Sequence, residues 1–347
     1  MSRLLYISVH GPLAYDEVRL FENLGFIVDV ASQDGQPCVA GHDRPAFGNP
    51  VAWDETSISC YDIIIIMHDI DALMRIWKAR RSRQRIIWRT IGQSSPHHER
   101  FIREHCRGVE IVRYSPSERF IDGFAGETAI IRFCKDSNEL SGWVGGENRV
   151  LVARNNFLKR GYVDDVSISK ALMNLPWDLF GFGNEWHPHS VIDTSYPTLL
   201  DAMRRYDVFF ATHSVPASYT LNLIEAMMVG MPVVALARDA VGVTTGAQWL
   251  TELGRNLYEV DDIIENSRNG FLVSDAYEGH DVISRLLRNE DLRREIGAAG
   301  RETAVRLFDH HTIGQQWWYY LEKKPISYWL RFANVKPILD NISRIYR

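Results

Sequence analysis

Residues 219–235 read YTLNLIEAMMVGMPVVA. Thr220 is a helix-capping residue type, and Leu221, Ile224 and Met228 follow it at helical spacing. Gly230 closes that helix, and Pro232 opens a Val-rich strand. Glu225 lies four residues after Leu221 and three before Met228, so it shares their apolar face. An ionised carboxylate there is costly without partners. Two kinds of partner fit. One is the ribose of a nucleotide whose diphosphate takes the free N–H groups at the helix start. The other is a buried Arg, Lys or backbone amide of the protein itself.

Around this segment, apolar runs alternate with helical patterns. The periodicity predicts strands near 4–9, 26–31, 62–67, 85–90 and 109–114, with helices at 15–24, 69–83 and 97–106. A Gly/Ser/Asn-rich stretch at 135–148 reads as a linker. The pattern then restarts, with strands at 149–153, 177–180, 207–212 and 232–236. The helices of this second half fall at 166–174, 198–205, 220–229, 277–288 and 291–307. The expected architecture is α/β, with two Rossmann-like domains facing a cleft. They span 1–147 and 148–310, and 311–347 forms a crossover helix with a basic, aromatic tail. WWYYLEKK (317–324) suits a closing helix that packs back on the N-terminal domain. In such sheets ligands sit outside the carboxyl ends of the strands.

Composition bounds the function. With 347 residues, 46% hydrophobic and 24% charged, the chain affords two ordinary globular cores. A net charge of -5 gives no global pull toward nucleic acid. Cys38, Cys60, Cys106 and Cys134 form no C-x-x-C pair, so a reducing cytoplasm is expected and no metal site is. The longest purely aliphatic run, 63–67, is far short of the about 20 residues of a membrane span. The first residues read as a strand and not as a signal peptide.

The segment 221–235 resembles the signature of the retaining GT-B-fold glycosyltransferases of family 4, "glycosyl transferases group 1". There, EAM is followed by a small residue, Gly, a hydrophobic residue, Pro and a Val-rich strand. Residues 263–273 (IIENSRNGFLV) and 291–309 (DLRREIGAAGRETAVRLFD) are similar to the family's following segments. Residues 151–161 (LVARNNFLKRG) resemble the stretch where a strand delivers an Arg, with a Lys five residues on. The resemblance covers about 151–309 and implies that Arg154 and Lys159 bind the donor diphosphate and Glu225 the ribose. It further implies a nucleoside diphosphate sugar as donor, retained configuration, and no metal or other cofactor. Fixed cations that meet the charge growing on a leaving diphosphate need no metal. The family usually carries a second Glu with seven residues between it and the first; here that position is Ala217.

Other candidates are weaker. Gly181 and Gly183 can admit a nucleotide base close to the backbone or serve an ordinary turn. In the family resembled, the position after the first strand faces the diphosphate and donor sugar, which the resemblance assigns here to Gly11. His68 ends the IIIIM strand on the cleft side and, with Glu185, is a candidate for catalysis or for substrate contact. Asp69-Ile70-Asp71 reads as a helix start rather than a metal motif. Ile70, Leu73, Met74 and Trp77 form the buried face of the helix that follows. The run 75–89 (RIWKARRSRQRIIWR) carries no acid, and Arg75, Lys78 and Arg81 are candidates for an anionic acceptor or surface. From 323 to 347 the charge is +5, six bases against Asp340, with interleaved aromatics that suit an interfacial segment.

The expected function is sugar transfer from a UDP- or GDP-sugar to a glycan or lipid-linked acceptor, in the cytoplasm or at a membrane surface. Sugar transfer to DNA, nucleotide-sugar epimerisation and nucleotide-sugar binding with impaired catalysis are the alternatives.

Overall fold

The structure, a computed structural model, describes residues 3–8, 10–32, 34–36, 46–92, 95–157, 170–212, 217–240 and 248–322. Lys159, Cys38, residues 166–169 of the helix expected at 166–174 and the basic, aromatic tail lie outside them. Among the described residues no helix is long and apolar enough to cross a membrane.

Two parallel sheets organise the chain. The first holds β1 (Arg3–Ser8), β2 (Ile27–Ser32), β3 (Asn49–Pro50), β4 (Ile63–Met67), β5 (Arg85–Arg89), β6 (Glu110–Arg113) and β7 (Ala129–Ile130). Their spatial order is β3-β2-β1-β4-β5-β6-β7. Every residue of β4 is buried, as expected where helices cover both faces of a parallel sheet. Alternation divides the faces. Tyr6, Ile65 and Met67 pack with α1 (Gly11–Asn23), while Ile7, Ile64 and Ile66 pack with α2 (Ile70–Ala79) and α3 (Pro96–His105). The buried face of α2 is Ala72, Leu73 and Ile76, rotated from the expected one; Ile70, Met74 and Trp77 are half-buried.

The second sheet holds β8 (Val150–Ala153), β9 (Trp177–Phe180), β10 (Val208–Ala211), β11 (Val233–Leu236) and β12 (Phe271–Val273), ordered β12-β11-β10-β8-β9. Its helices are α4 (Tyr196–Arg205), α5 (Leu221–Val229), α6 (Gln248–Leu257), α7 (Val260–Ile263), α8 (Ala276–Arg288) and α9 (Glu290–Phe308). Thr220 caps α5 by accepting from Leu223 N, and Gly230 ends it in the left-handed region at φ 99°. The helix is not amphipathic: all its residues from Leu223 to Val229 are buried. A helix apolar on every side belongs in a core.

The chain crosses between domains twice at one place. Lys135 N donates to Phe308 O at 2.8 Å, and His310 N donates to Lys135 O at 2.9 Å. Past that crossing, α10 (His310–Glu322) packs back on the N-terminal domain, as expected. Trp317 is fully buried, edge-on to Phe21 of α1 at 5.1 Å.

Candidate nucleotide-sugar cleft

Each sheet has a switch point, where neighbouring strands send their connections in opposite directions. In the second sheet it lies between β8 and β10, and in the first between β1 and β4. Crevices of this kind take ligands at the carboxyl ends of the strands. Arg154 follows β8, α5 follows β10, Gly11 follows β1 and His68 follows β4, so the sequence candidates gather at the two switch points.

Arg154 is 5% exposed, with its guanidinium over the Phe157 ring at 5.3 Å. Its main chain is held on both sides. Arg154 N donates to Phe180 O at 2.7 Å, and Asn184 Nδ2 donates to Arg154 O at 2.6 Å. Asn184 is fully buried and also accepts from Phe157 N, which ties the β8 and β9 loops together. Nothing in the local sequence marks Asn184: besides Gly181 O, three residues back, its side chain bonds Phe157 N and Arg154 O, 27 and 30 residues away. Asn222, in the first turn of α5, donates to Ala153 O at 3.3 Å. The start of α5 is thereby fixed beside the loop that bears Arg154. Leu221 and Asn222 N–H have no acceptor within the helix, and the helix dipole adds partial positive charge there.

The glycines separate by cause. A Cβ on Gly181 (φ 133°) would stand 2.3 Å from Arg154 O, and one on Gly183 (φ 77°) 2.3 Å from Asn156 Oδ1. Both are required by loop packing within the protein. A Cβ on Gly11 would meet no atom within 4 Å. Glu185 is exposed and accepts from Gly183 N at 2.9 Å, a contact that closes its own loop.

Glu225 is 2% exposed, and its Oε1 lies 2.6 Å from Lys135 Nζ. Of the two partners the sequence leaves open, the structure holds the protein cation.

His68 sits at φ 52°, an uncommon conformation for a residue with a side chain. Its N–H donates to Arg89 O at 3.1 Å, and its ring meets His98 edge-on at 4.9 Å. Burial, and secondarily His98, hold its pKa down at about 4, so the ring is neutral at pH 7. Asp69 caps α2 by accepting from Asp71 N and Ala72 N. No cluster of three or more metal-ligating side chains occurs among the described residues.

The cations of 75–89 disperse. Arg75 pairs with Glu55 at 2.6 Å and lies over Trp53, Arg85 pairs with Glu110, and Arg89 is buried against Glu17. Lys78 and Arg81 are exposed, but α2 runs back from the cleft edge, so both stand at the opposite edge of the sheet. The run is therefore not one cationic face, and none of these three candidates reaches the cleft.

Across the cleft a polar seam joins the domains. Ser117 Oγ pairs with Ser218 Oγ at 2.8 Å and donates to Leu257 O at 2.6 Å. Ser115 Oγ donates to Glu259 at 2.6 Å, and Ser218 N donates to Tyr114 Oη at 2.7 Å.

No protein-family model and no curated protein sequence matches the chain. Solved structures do. The fold is that of glycosyltransferases built from two Rossmann-like domains. HepE of Anabaena in complex with UDP-glucose superposes with a TM-score of 0.66 at 15% identity, over 93% of this chain and 100% of that one. Sucrose-phosphate synthase of Thermosynechococcus elongatus gives 0.66 at 16%, over 93% and 98%. A glycosyltransferase of Rickettsia africae gives 0.65 at 12%, over 93% and 99%.

Proposed function

We propose that the protein is a glycosyltransferase that takes a nucleoside diphosphate sugar at the switch point of its C-terminal sheet. The observation that carries this is the joining of the buried Arg154 to the N-terminus of α5 through the Asn222–Ala153 bond. A guanidinium and a row of oriented N–H groups meet a diphosphate without rearranging. As the glycosidic bond breaks, charge grows on the leaving diphosphate, and preorganised groups are worth most at that moment. HepE, of like fold, is solved with UDP-glucose and with UDP and glucose, which supports a UDP-sugar donor. Lys159 is assigned to the diphosphate with Arg154, on the resemblance alone. Glu225 is assigned to the ribose, with Lys135 as its counterion.

The acceptor is a glycan or lipid-linked sugar held at the carboxyl ends of β1 and β4. Neutral His68 faces it as a hydrogen-bonding group. Retention of configuration and independence of metal follow from the resemblance and from the cationic diphosphate site.

The test is a panel of UDP-, GDP- and ADP-sugars, read by nucleotide release and by thermal shift. Arg154→Ala should weaken nucleotide binding by about tenfold or more, the scale of a lost charge-assisted contact. A protein that neither binds nor cleaves any member of the panel is not this enzyme.

A second reading has its own observation. Ala217 offers a methyl where the family usually places a carboxylate, and the adjoining Ser218 N–H and Oγ are taken by Tyr114 and Ser117. A strap so engaged suits a protein that binds the nucleotide and turns over slowly. Tight UDP binding without transfer to any acceptor offered would select it.

A further inference from the structure

The ion pair at Glu225 has a third member. Lys135 Nζ lies 2.6 Å from Glu225 Oε1 of α5 and 2.7 Å from Asp16 Oδ2 of α1. Lys135 and Glu225 are each buried to within a few per cent, and the Asp16 side chain is 13% exposed. One helix belongs to the N-terminal domain and the other to the C-terminal domain. Lys135 belongs to the link between them, and its main chain is pinned at both N–H and C=O to the place where the chain returns.

This placement has a mechanical consequence. A rotation of one domain moves α1 or α5 relative to the link, but Lys135 stays with the crossing strands. One of its two bridges must lengthen. Charge adds a second consequence. Two carboxylates, Asp16 and Glu225, share the Lys135 ammonium. A carboxylate has acceptor positions enough for Lys135 and a hydroxyl together, so Glu225 can hold the lysine and accept from a ribose hydroxyl at once.

We infer that Lys135 is a positioning residue for nucleotide binding: it orients the Glu225 carboxylate and, through Asp16, makes that orientation depend on how the two domains sit. This rests on the reading of Glu225 as the ribose contact. Removal of Lys135 leaves Glu225 buried and misaimed, so the two residues act as one unit on the nucleotide.

The experiment measures UDP affinity by titration calorimetry for wild type, Lys135→Met, Lys135→Arg, Glu225→Gln and the double variant Lys135→Met/Glu225→Gln. Each of Lys135→Met and Glu225→Gln should lose about tenfold, and the double variant little more than either single, as coupled neighbours do. Lys135→Arg should recover most of the affinity. Wild-type affinity in Lys135→Met, or losses that multiply in the double variant, would overturn the inference. A second measurement needs no variant and so survives a failure to fold. Saturating UDP should change hydrogen exchange in residues 16–23 of α1, beyond the cleft end of that helix. Unchanged exchange there, with UDP bound, overturns the coupling. If wild type binds no nucleotide at all, it is the donor reading that has failed.

Discussion

His68 and Glu118 lie at the carboxyl edge of the first sheet with opposite departures from ordinary acidity. Burial holds His68 at about 4 instead of 6.5. Burial pushes the Glu118 carboxyl up to about 7 from 4.5, although it accepts from Thr90 Oγ1 and Tyr114 N. Unfolded, His68 takes its proton near 6.5, so stability held above that pH is lost as pH falls toward 4, about 3 kcal/mol at most. Folded, Glu118 keeps its proton to about 7, so its share is complete below pH 4.5 and is lost as pH rises to 7, again about 3 kcal/mol at most. Between 4.5 and 6.5 the two slopes oppose each other. Glu118→Gln should therefore gain stability with rising pH across that window, and His68→Phe should lose it. Urea unfolding at several pH values reads the slopes, and equal slopes in the two variants would refute the assignment. The glycines give a second test at this scale. Gly181→Ala should destabilise the fold through its φ of 133° and its contact with Arg154 O. Gly11→Leu should leave thermal stability nearly unchanged, because its side chain meets open space, yet weaken UDP-sugar binding about tenfold by filling the cleft. Unchanged binding in Gly11→Leu would remove Gly11 from the site.

At the scale of elements, α5 and α9 explain why the C-terminal half was legible and also what stayed hidden. Spacing from Thr220 to Gly230 is local, so cap, helix and stop could be read from the chain. Buried β4 was legible for the same reason. The reason for Gly297 was not. A Cβ there would stand 2.1 Å from Gly230 O, so α9 crosses α5 at backbone contact. Arg301, one turn on, donates to Met228 O at the end of α5 and to Ser137 O of the link. Asn269 of the 263–273 segment bonds Ile263 O and Thr303 Oγ1. Three features that carried the resemblance are thus structural ties, each with partners distant in sequence. The two-residue strands β3 and β7 are too short for any period to show. Glu225 was half legible: its burial followed from its neighbours, whereas Lys135 lies 90 residues earlier, within the stretch read as a linker. The run 75–89 misled because charge in sequence says nothing of the acids that come to meet it. Gly297→Ala should cost about 3 kcal/mol by overpacking, seen as a lower urea midpoint. A cost below about 1 kcal/mol would mean that α9 shifts freely over α5.

At the scale of the molecule, order in sequence and order in space part company at the crossing. Helix α10 follows the C-terminal domain in the chain, but its fully buried Trp317 packs on Phe21, and Arg89 of the first sheet lies over the same ring at 5.4 Å. The N-terminal domain therefore completes its core with the last described helix. Trp317→Ala should remove about 3–5 kcal/mol from that domain. Ligand linkage tells which domain is affected. On the proposed donor site, UDP binds at the second sheet and stabilises the unit that holds it in proportion to the logarithm of its concentration. In calorimetry of the variant, the transition lowered by Trp317→Ala should be the one that UDP leaves least moved. The seam of Ser115, Ser117, Ser218 and Glu259 is hydrogen-bonded, with the Tyr114–Tyr219 ring pair beside it at 5.1 Å, so its polar groups can exchange partners for water when the domains part. Separable transitions are expected on that ground. If the substitution instead lowers the transition that UDP raises, or if the two domains melt as one at every UDP concentration, α10 is not a private part of the N-terminal core. The crossing at Lys135 would then bind both domains into a single cooperative unit.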